Sequence, residues 1–402
     1  MKLNLENFPL MGDKEAQQLI QVFADQDVLA RFVGGCVRDA VLGKAAHDID
    51  MAVPMPPDKV MDLLTKKGIK SIPTGYDFGT VTAVMEGQAF QITSLREDWE
   101  TDGRHARVVY GMSWEADALR RDFTINALYA ERDGTVLDYV EGLTDLKSGV
   151  IRFVGAAHQR IREDYLRILR YFRFLAWYGH GPVNPEAMQA CADLCQGLGG
   201  LSRERIGHEF LKLLAAPVPL PSLSLMDKTG LTSFILPHPL NLKALEGLLP
   251  FEKVPNVLCR LAALSWPQLD SEGLAKALRL SWAQKQYLQD CHDRLDDYPS
   301  SEKTIYRNLY HDGVRLFEDL TMLSLAVRPL SSTPSLLGEA FKISAGWQRP
   351  SFPIKGKDLV EIGLKPGLKL GSLLKRCEEW WIDQNFQPDQ EACLRWVRDR
   401  KS

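Results

Sequence analysis

The sequence predicts an α+β protein, with a mixed β-sheet in about the first 140 residues and helices from there to the end. Three observations predict it. Short β-rich runs ended by glycine turns are confined to the N-terminal part. From His158 onward apolar residues recur at helical spacing. That helical stretch is broken at Gly181-Pro182, at residues 217–221, at 329–334 and at 350–353, the candidate domain boundaries. The chain has 402 residues, 45% hydrophobic and 25% charged, which fits about two to four globular domains and excludes disorder and collagen-like repeats.

In order, residues 13–30 carry apolar side chains at helical spacing (Ala16, Leu19, Ile20, Phe23), and Arg31 to Val33 is a short strand ended by Gly34-Gly35. A short helix through residues 38–42 and a strand from Asp48 to Val53 follow. Residues 78–85 and 89–95 are β-rich runs around Glu86-Gly87-Gln88, as in a hairpin, giving at least four strands.

The 49 Lys+Arg against 52 Asp+Glu give a formal net charge of -3, so a polyanion site must be a local patch. No window approaches the ~18 apolar residues of a membrane span, and residues 1–13 lack a signal peptide's apolar stretch, so cytoplasmic localisation is expected. Seven cysteines scattered from Cys36 to Cys393, without a CxxC pair, argue against structural zinc and a disulfide framework.

Chemistry concentrates at residues 34–50. Side chains alternate along a strand, so Asp48 and Asp50 share a face while Ile49 points to the core. Two such carboxylates favour a hard cation, Mg²⁺, although an Asp-x-Asp alone also fits a solvated turn. Gly34-Gly35 after a strand permits a tight turn with N–H groups presented to phosphate, and Arg38 follows one turn later. The glycine spacing is not that of a Walker A loop, since Gly43-Lys44-Ala45 lacks the Ser/Thr.

Three long motifs in order carry a family resemblance. They are Gly34-Gly35-Cys36-Val37-Arg38-Asp39 with Asp48-Ile49-Asp50, the run from Arg120 to Leu128 (Arg-Arg-Asp-Phe-Thr-Ile-Asn-Ala-Leu), and the run from Glu163 to Phe174 (Glu-Asp-Tyr-Leu-Arg-Ile-Leu-Arg-Tyr-Phe-Arg-Phe), extended by residues 201–206. With them the chain resembles the class II tRNA nucleotidyltransferase (CCA-adding) and bacterial poly(A) polymerase superfamily. The resemblance implies a palm-like nucleotidyltransferase domain (1–140), a helical neck reading the base (141–215), a helical body (216–330) and a helical, tRNA-binding tail (331–402). It implies addition of CCA from CTP and ATP to the tRNA 3′ end, with release of pyrophosphate and with Asp48 and Asp50 binding two Mg²⁺. Gly34, Gly35, Arg38 and Arg121 match the family's triphosphate and nucleotide contacts, and Asn126 is implied to position the sugar. Partners are the acceptor arm of tRNA and the two nucleotides, for a monomer or weak homodimer. Poly(A) polymerase, A-only or CC-only addition, and a noncatalytic RNA-binding protein retaining the fold are the alternatives.

One residue departs from the family pattern. Gln91 stands where members often carry an acidic residue, so either two carboxylates suffice or another group, such as Glu97 or Asp98, compensates. On a helix running through residues 164–176, Arg167, Arg170 and Arg173 fall on an arc with Asp164, apart from an apolar stripe of Ile168, Leu169, Phe172, Leu175 and Ala176. A salt-bridged solvent face is the plain reading, but Arg152, Arg160 and Arg162 add cations without evident acids. The family assigns this face to a protein template. Asp164 accepts from the amino group of C or A and Arg167 donates to the ring nitrogen, while Arg170 and Arg173 grip the triphosphate or shape the pocket. Residues 101–107 read as a polar surface loop, which in the family helps the switch from CTP to ATP. In the C-terminal part Trp380, Trp381 and Trp396 read as helix core, and the lysines between Lys355 and Lys375 as candidate tRNA phosphate contacts.

Overall fold

A computed structural model describes the chain except residues 5, 7, 46–48, 77, 78, 102–105, 112, 299–301, 329–333, 401 and 402. Two compact units form, Met1–Phe234 and Ile235–Ser402. In the first, the strands are β1 (Arg31–Val33), β2 (Ile49–Val53), β3 (Lys70–Gly75), β4 (Thr80–Met85), β5 (Gln88–Ser94), β6 (Arg96–Thr101), β7 (Ala106–Tyr110), β8 (Leu128–Ala130) and β9 (Val136–Asp138). Its helices are α1 (Lys14–Ala24), α2 (Gly35–Val41), α3 (Pro57–Lys66), α4 (Trp114–Leu119), α5 (Gly142–Ser148), α6 (Ala157–Glu163), α7 (Leu166–Tyr178), α8 (Pro185–Asp193), α9 (Arg203–Leu214) and α10 (Pro219–Lys228).

Seven strands make one mixed sheet in the order β3-β4-β5-β2-β1-β8-β9, and β6 and β7 form a separate two-stranded ribbon. The central pair β2 and β5 is parallel; β1 runs antiparallel to both β2 and β8. Glu86 and Gly87, both at positive φ, close the β4–β5 hairpin, the conformation a two-residue turn needs to match strand twist. The α1 helix starts where Asp13 caps the Ala16 N–H, and it buries Ala16, Leu19, Ile20 and Phe23 as its apolar spacing requires. Of residues 101–107, read from the sequence as a polar loop, Thr101 ends β6 and Ala106 and Arg107 begin β7, while 102–105 lie outside the described residues.

The neck-to-body boundary expected at 215/216 falls inside the first unit. Pro219 opens α10, and α10 packs on α7, so its apolar face (Leu223, Met226) is buried with the preceding helices. In the second unit, α11 (Leu242–Leu248), α12 (Val257–Ser265), α13 (Ser271–Leu278), α14 (Trp282–Arg294), α15 (Glu302–Val327) and α16 (Pro334–Ala345) precede α17 (Gly356–Glu361), α18 (Leu368–Asp383) and α19 (Gln390–Arg398). Gly313, at φ 71°, breaks the helical path within α15. The last three helices share a core of Leu359, Leu373, Cys377, Trp381, Cys393 and Val397 with Tyr310 of α15. Trp380 stacks on Trp396 with centroids 5.6 Å apart, so these tryptophans are packing residues. No helix among the described residues is long and apolar enough to cross a membrane.

Candidate active site

The site begins where β1 ends. Arg31 and Phe32 pair with Ala52 and Met51, and this register brings the Gly34-Gly35 turn beside the start of β2, where Asp50 sits half-buried. The thiol of Cys36 donates to the Asp50 carbonyl at 3.6 Å, tying the turn to that strand; burial pushes this thiol up to about 12, so it packs and does not react. Gly34 has φ 75°, and a Cβ there would meet the Asn126 carbonyl at 3.6 Å and Arg121 Nη1 at 3.7 Å. A Cβ on Gly35 would lie 3.6 Å from Arg38 Nη2. The glycine turn, Arg38, Arg121 and Asn126, far apart in sequence, thus meet in one place.

Each arginine there is held by a carboxylate that the sequence reading left without a role. Arg121 Nε and Nη2 donate to Asp117 at 3.1 and 2.9 Å, Tyr129 Oη donates to the same oxygen at 2.6 Å, and Arg120 takes the other oxygen. Asp117 is fully buried. Burial opposes its ionisation, but Arg121 and Arg120 outweigh it and hold the carboxyl below the usual range. Arg38 is buried too: its Nη1 donates to Asn126 Oδ1 at 2.6 Å, its Nε to Asp39 at 3.0 Å, and it lies 4.2 Å over the Tyr178 ring. Tyr178 Oη in turn donates to Asp39 at 3.0 Å. Arg38, expected at the triphosphate, donates here to Asn126 and Asp39 and fixes the orientation of Asn126.

Asn126 passes the connection on. Its Nδ2 donates to Asp122 Oδ1 at 3.1 Å, and Asp122 Oδ2 accepts from Arg170 Nε at 2.7 Å and from Arg170 Nη2. Burial opposes charge on Asp122, yet Arg170 with the Asn126 amide keeps its carboxyl low. Arg170 lies 3.9 Å from Glu209 of α9, and Arg173 Nε lies 2.9 Å from the same carboxylate. Arg170 and Arg173 are thereby internal struts joining α7 to the sheet domain and to α9. Glu209 had a legible signal: three residues after Ile206 and four before Leu213, it sits on the apolar stripe of α9, where a carboxylate demands a buried cation.

The expected template pair stands at the α6–α7 junction. Asp164 is not helical, with φ -157° and ψ 107°, so its place on a continuous helical arc is corrected: it precedes α7, and its Oδ1 accepts from the Leu166 N–H at 3.0 Å. Its Oδ2 accepts from Arg205 Nη2 at 2.7 Å. Arg167 donates to Glu163 Oε2 at 2.6 Å and to the Arg160 carbonyl at 2.9 Å. The apolar stripe lies as expected, with Ile168, Leu169, Phe172, Leu175 and Ala176 buried. Arg152 and Arg160, expected to lack acids, have them: Arg152 pairs with Asp145 and Glu141, and Arg160 with Glu163.

Asp48 lies outside the described residues, as do the side chains of Glu97 and Asp98. Among the described residues no group of three metal-ligating side chains gathers. Asp50, a half-buried carboxylate, has the hard oxygen donors that suit a divalent ion, and Gln91 is its register partner on β5.

Residues 30–152 match the poly A polymerase head domain, and residues 182–242 match the probable RNA and SrmB-binding site of polymerase A. The mitochondrial CCA tRNA nucleotidyltransferase 1 of Homo sapiens is 33% identical over 418 residues, covering 99% of this chain and 93% of its own. The CCA-adding enzyme of Leuconostoc mesenteroides is 30% identical over 390 residues, covering 96% of each chain. This chain belongs to the class II CCA-adding tRNA nucleotidyltransferase family. The Bacillus stearothermophilus CCA-adding enzyme, solved in complex with CTP, shares the family fold over 96% of this chain and 97% of its own, with a TM-score of 0.78 and 27% identity. The Thermotoga maritima CCA-adding enzyme, solved with tRNA, has the same fold at a TM-score of 0.67 and 18% identity, covering 99% of this chain and all of its own.

Proposed function

We propose a division of labour for these residues in template-independent addition of CCA to the 3′ end of tRNA, the reaction of the family. CTP and ATP donate the nucleotides, and pyrophosphate leaves. Asp50 and, from the sequence motif, Asp48 would hold divalent metal, Mg²⁺, which when bound stabilises charge on the attacking and leaving oxygens. The Gly34-Gly35 turn brings backbone N–H groups close to the phosphates, and Arg121 Nη1, beside Gly34, adds a fixed positive charge whose direction Asp117 sets. Asn126, oriented from one side by Arg38 and from the other by Asp122, faces the sugar.

Asp164 and Arg167 read the base. Cytosine and adenine each present an amino donor beside a ring-nitrogen acceptor, the complement of a carboxylate that only accepts and a guanidinium that only donates. Uracil and guanine present the reverse and are opposed. The observation that carries this reading is the unbroken chain from Arg38 through Asn126, Asp122 and Arg170 to Glu209, which ties the glycine turn to the helix that Asp164 caps. One rigid frame then serves both ends of a nucleotide. Incubating the protein with Mg²⁺ and tRNAs ending in the discriminator base, C or CC tests it, with each NTP alone and with CTP plus ATP. CTP should extend the first two and ATP the third; a long A ladder from ATP alone would make the chain a poly(A) polymerase.

A further inference from the structure

Asp50 has different neighbours on its two sides. Toward β1 lie the Gly34-Gly35 turn and the cluster of Arg121, Arg38 and Asn126. Toward β5 lies Gln91, the register partner of Asp50 across the parallel pair, followed by Thr82 on β4 and Ile72 on β3. Register partners share a sheet face and neighbouring strands are about 4.8 Å apart, so these four residues form one row leading away from the glycine turn. The hydroxyls around Gln91 are engaged with one another, Thr82 with Thr74 at 2.7 Å and Thr80 with Thr93 at 3.2 Å. Gln91 itself is exposed, as is Ile72 at 38%, and while its backbone is paired within the sheet, the side-chain amide of Gln91 makes no hydrogen bond among the described residues.

In an in-line displacement the attacking hydroxyl and the leaving pyrophosphate lie on opposite sides of the reacting phosphorus. With the triphosphate on the β1 side of Asp50, the RNA end must arrive over β5. We propose that Gln91 is a positioning residue for the RNA substrate, its amide hydrogen-bonding the 2′-hydroxyl of the 3′-terminal ribose so that the adjacent 3′-hydroxyl is held at Asp50. A neutral amide suits this task because it both donates and accepts, as a hydroxyl does. Ile72, two strands further out, offers the terminal base an apolar surface. The proposal rests on the assignment of the triphosphate to the glycine-turn side.

The test is equilibrium binding, without NTP, of tRNA ending in the discriminator base with either a ribose or a 2′-deoxyribose at the last position, to the wild type and to Gln91→Ala. Loss of one neutral hydrogen bond weakens binding by about twofold to tenfold. The deoxy end should weaken wild-type binding by that factor, Gln91→Ala should weaken binding of the ribose end equally, and the variant should not distinguish the two ends. KM for CTP should stay unchanged in the variant. Equal sensitivity of both proteins to the deoxy end, or a change in KM for CTP alone, would overturn the proposal. Asp50→Ala, assayed for turnover in parallel, separates the two levels: activity there would sink the site assignment itself, whereas an inactive Asp50→Ala with a failed binding cycle sinks only the role of Gln91.

Discussion

If the contact between Asp122 and Arg170 joins the sugar end of the site to the base-reading helix, breaking it from either side should have the same effect. The perturbation is a double-mutant cycle of Asp122→Asn, Arg170→Gln and both together. Asp122 accepts four hydrogen bonds, two from Arg170, one from Asn126 Nδ2 at 3.1 Å and one from the Phe123 N–H at 2.8 Å. The amide introduced by Asp122→Asn keeps an acceptor for Asn126 and Phe123 but turns an N–H toward Arg170. A hydrogen bond to a charged group contributes about 1.5 to 3 kcal/mol. Arg170 is 30% exposed and keeps Glu209 at 3.9 Å as a second partner, which argues for the lower part of that range. A coupling of about 2 kcal/mol corresponds to about thirtyfold in kcat/KM. Measured for CTP on tRNA ending in the discriminator base, kcat/KM should fall about thirtyfold in each single variant and scarcely further in the double, with thermal unfolding checking that all three fold. Losses that multiply to about a thousandfold would mean that the two residues act independently, and the connected frame would be refuted.

Other outcomes follow from the same geometry. Asp50→Ala or Asp48→Ala should nearly abolish nucleotide addition while leaving tRNA affinity largely intact; retained turnover in either would move the metal site elsewhere. Asp164→Ala or Arg167→Ala should raise incorporation of UTP or GTP relative to CTP by about fivefold to a hundredfold, read as ratios of kcat/KM, and unchanged ratios in both would remove the template role. Because Asp117 is held below its unfolded value, its ionised form should contribute stability that is present above about pH 4 and lost as pH falls toward its lowered folded value. Asp117→Asn should therefore be less stable near neutral pH and lose less on acidification, seen in unfolding curves against pH; parallel curves for variant and wild type would contradict this. Stiffening residues 101–107 should spare the two C additions and impair the final A, whereas equal loss of all three would make the segment a general support.

The order of elements, the strand bearing Asp50, the glycine turn and the apolar stripe of α7 all follow from local patterns. Alternation, helical spacing and glycine at positive φ are properties of a few consecutive residues, and Ile168, Leu169 and Phe172 are buried where that spacing puts them. The short strands β8 and β9 were not legible, since three residues such as Leu128–Ala130 carry no period of their own and become strand only by pairing with β1. The arginines could be counted but not aimed. Arg170 and Arg173 read as ligand contacts because the carboxylates that meet them, Asp122 and the distant Glu209, are brought to them only by packing, as Asn126 is brought to Arg38. Asp164 left the helical arc for the same kind of reason, its carboxylate capping Leu166 while Arg205, 41 residues away, holds the other oxygen. Sequence by itself determined which residue types and local elements the site has, because those depend on neighbours along the chain. Only the tertiary structure decided which charge meets which, and that Gln91 stands beside Asp50, because a buried ion pair and a strand register form between residues that the chain alone does not bring together.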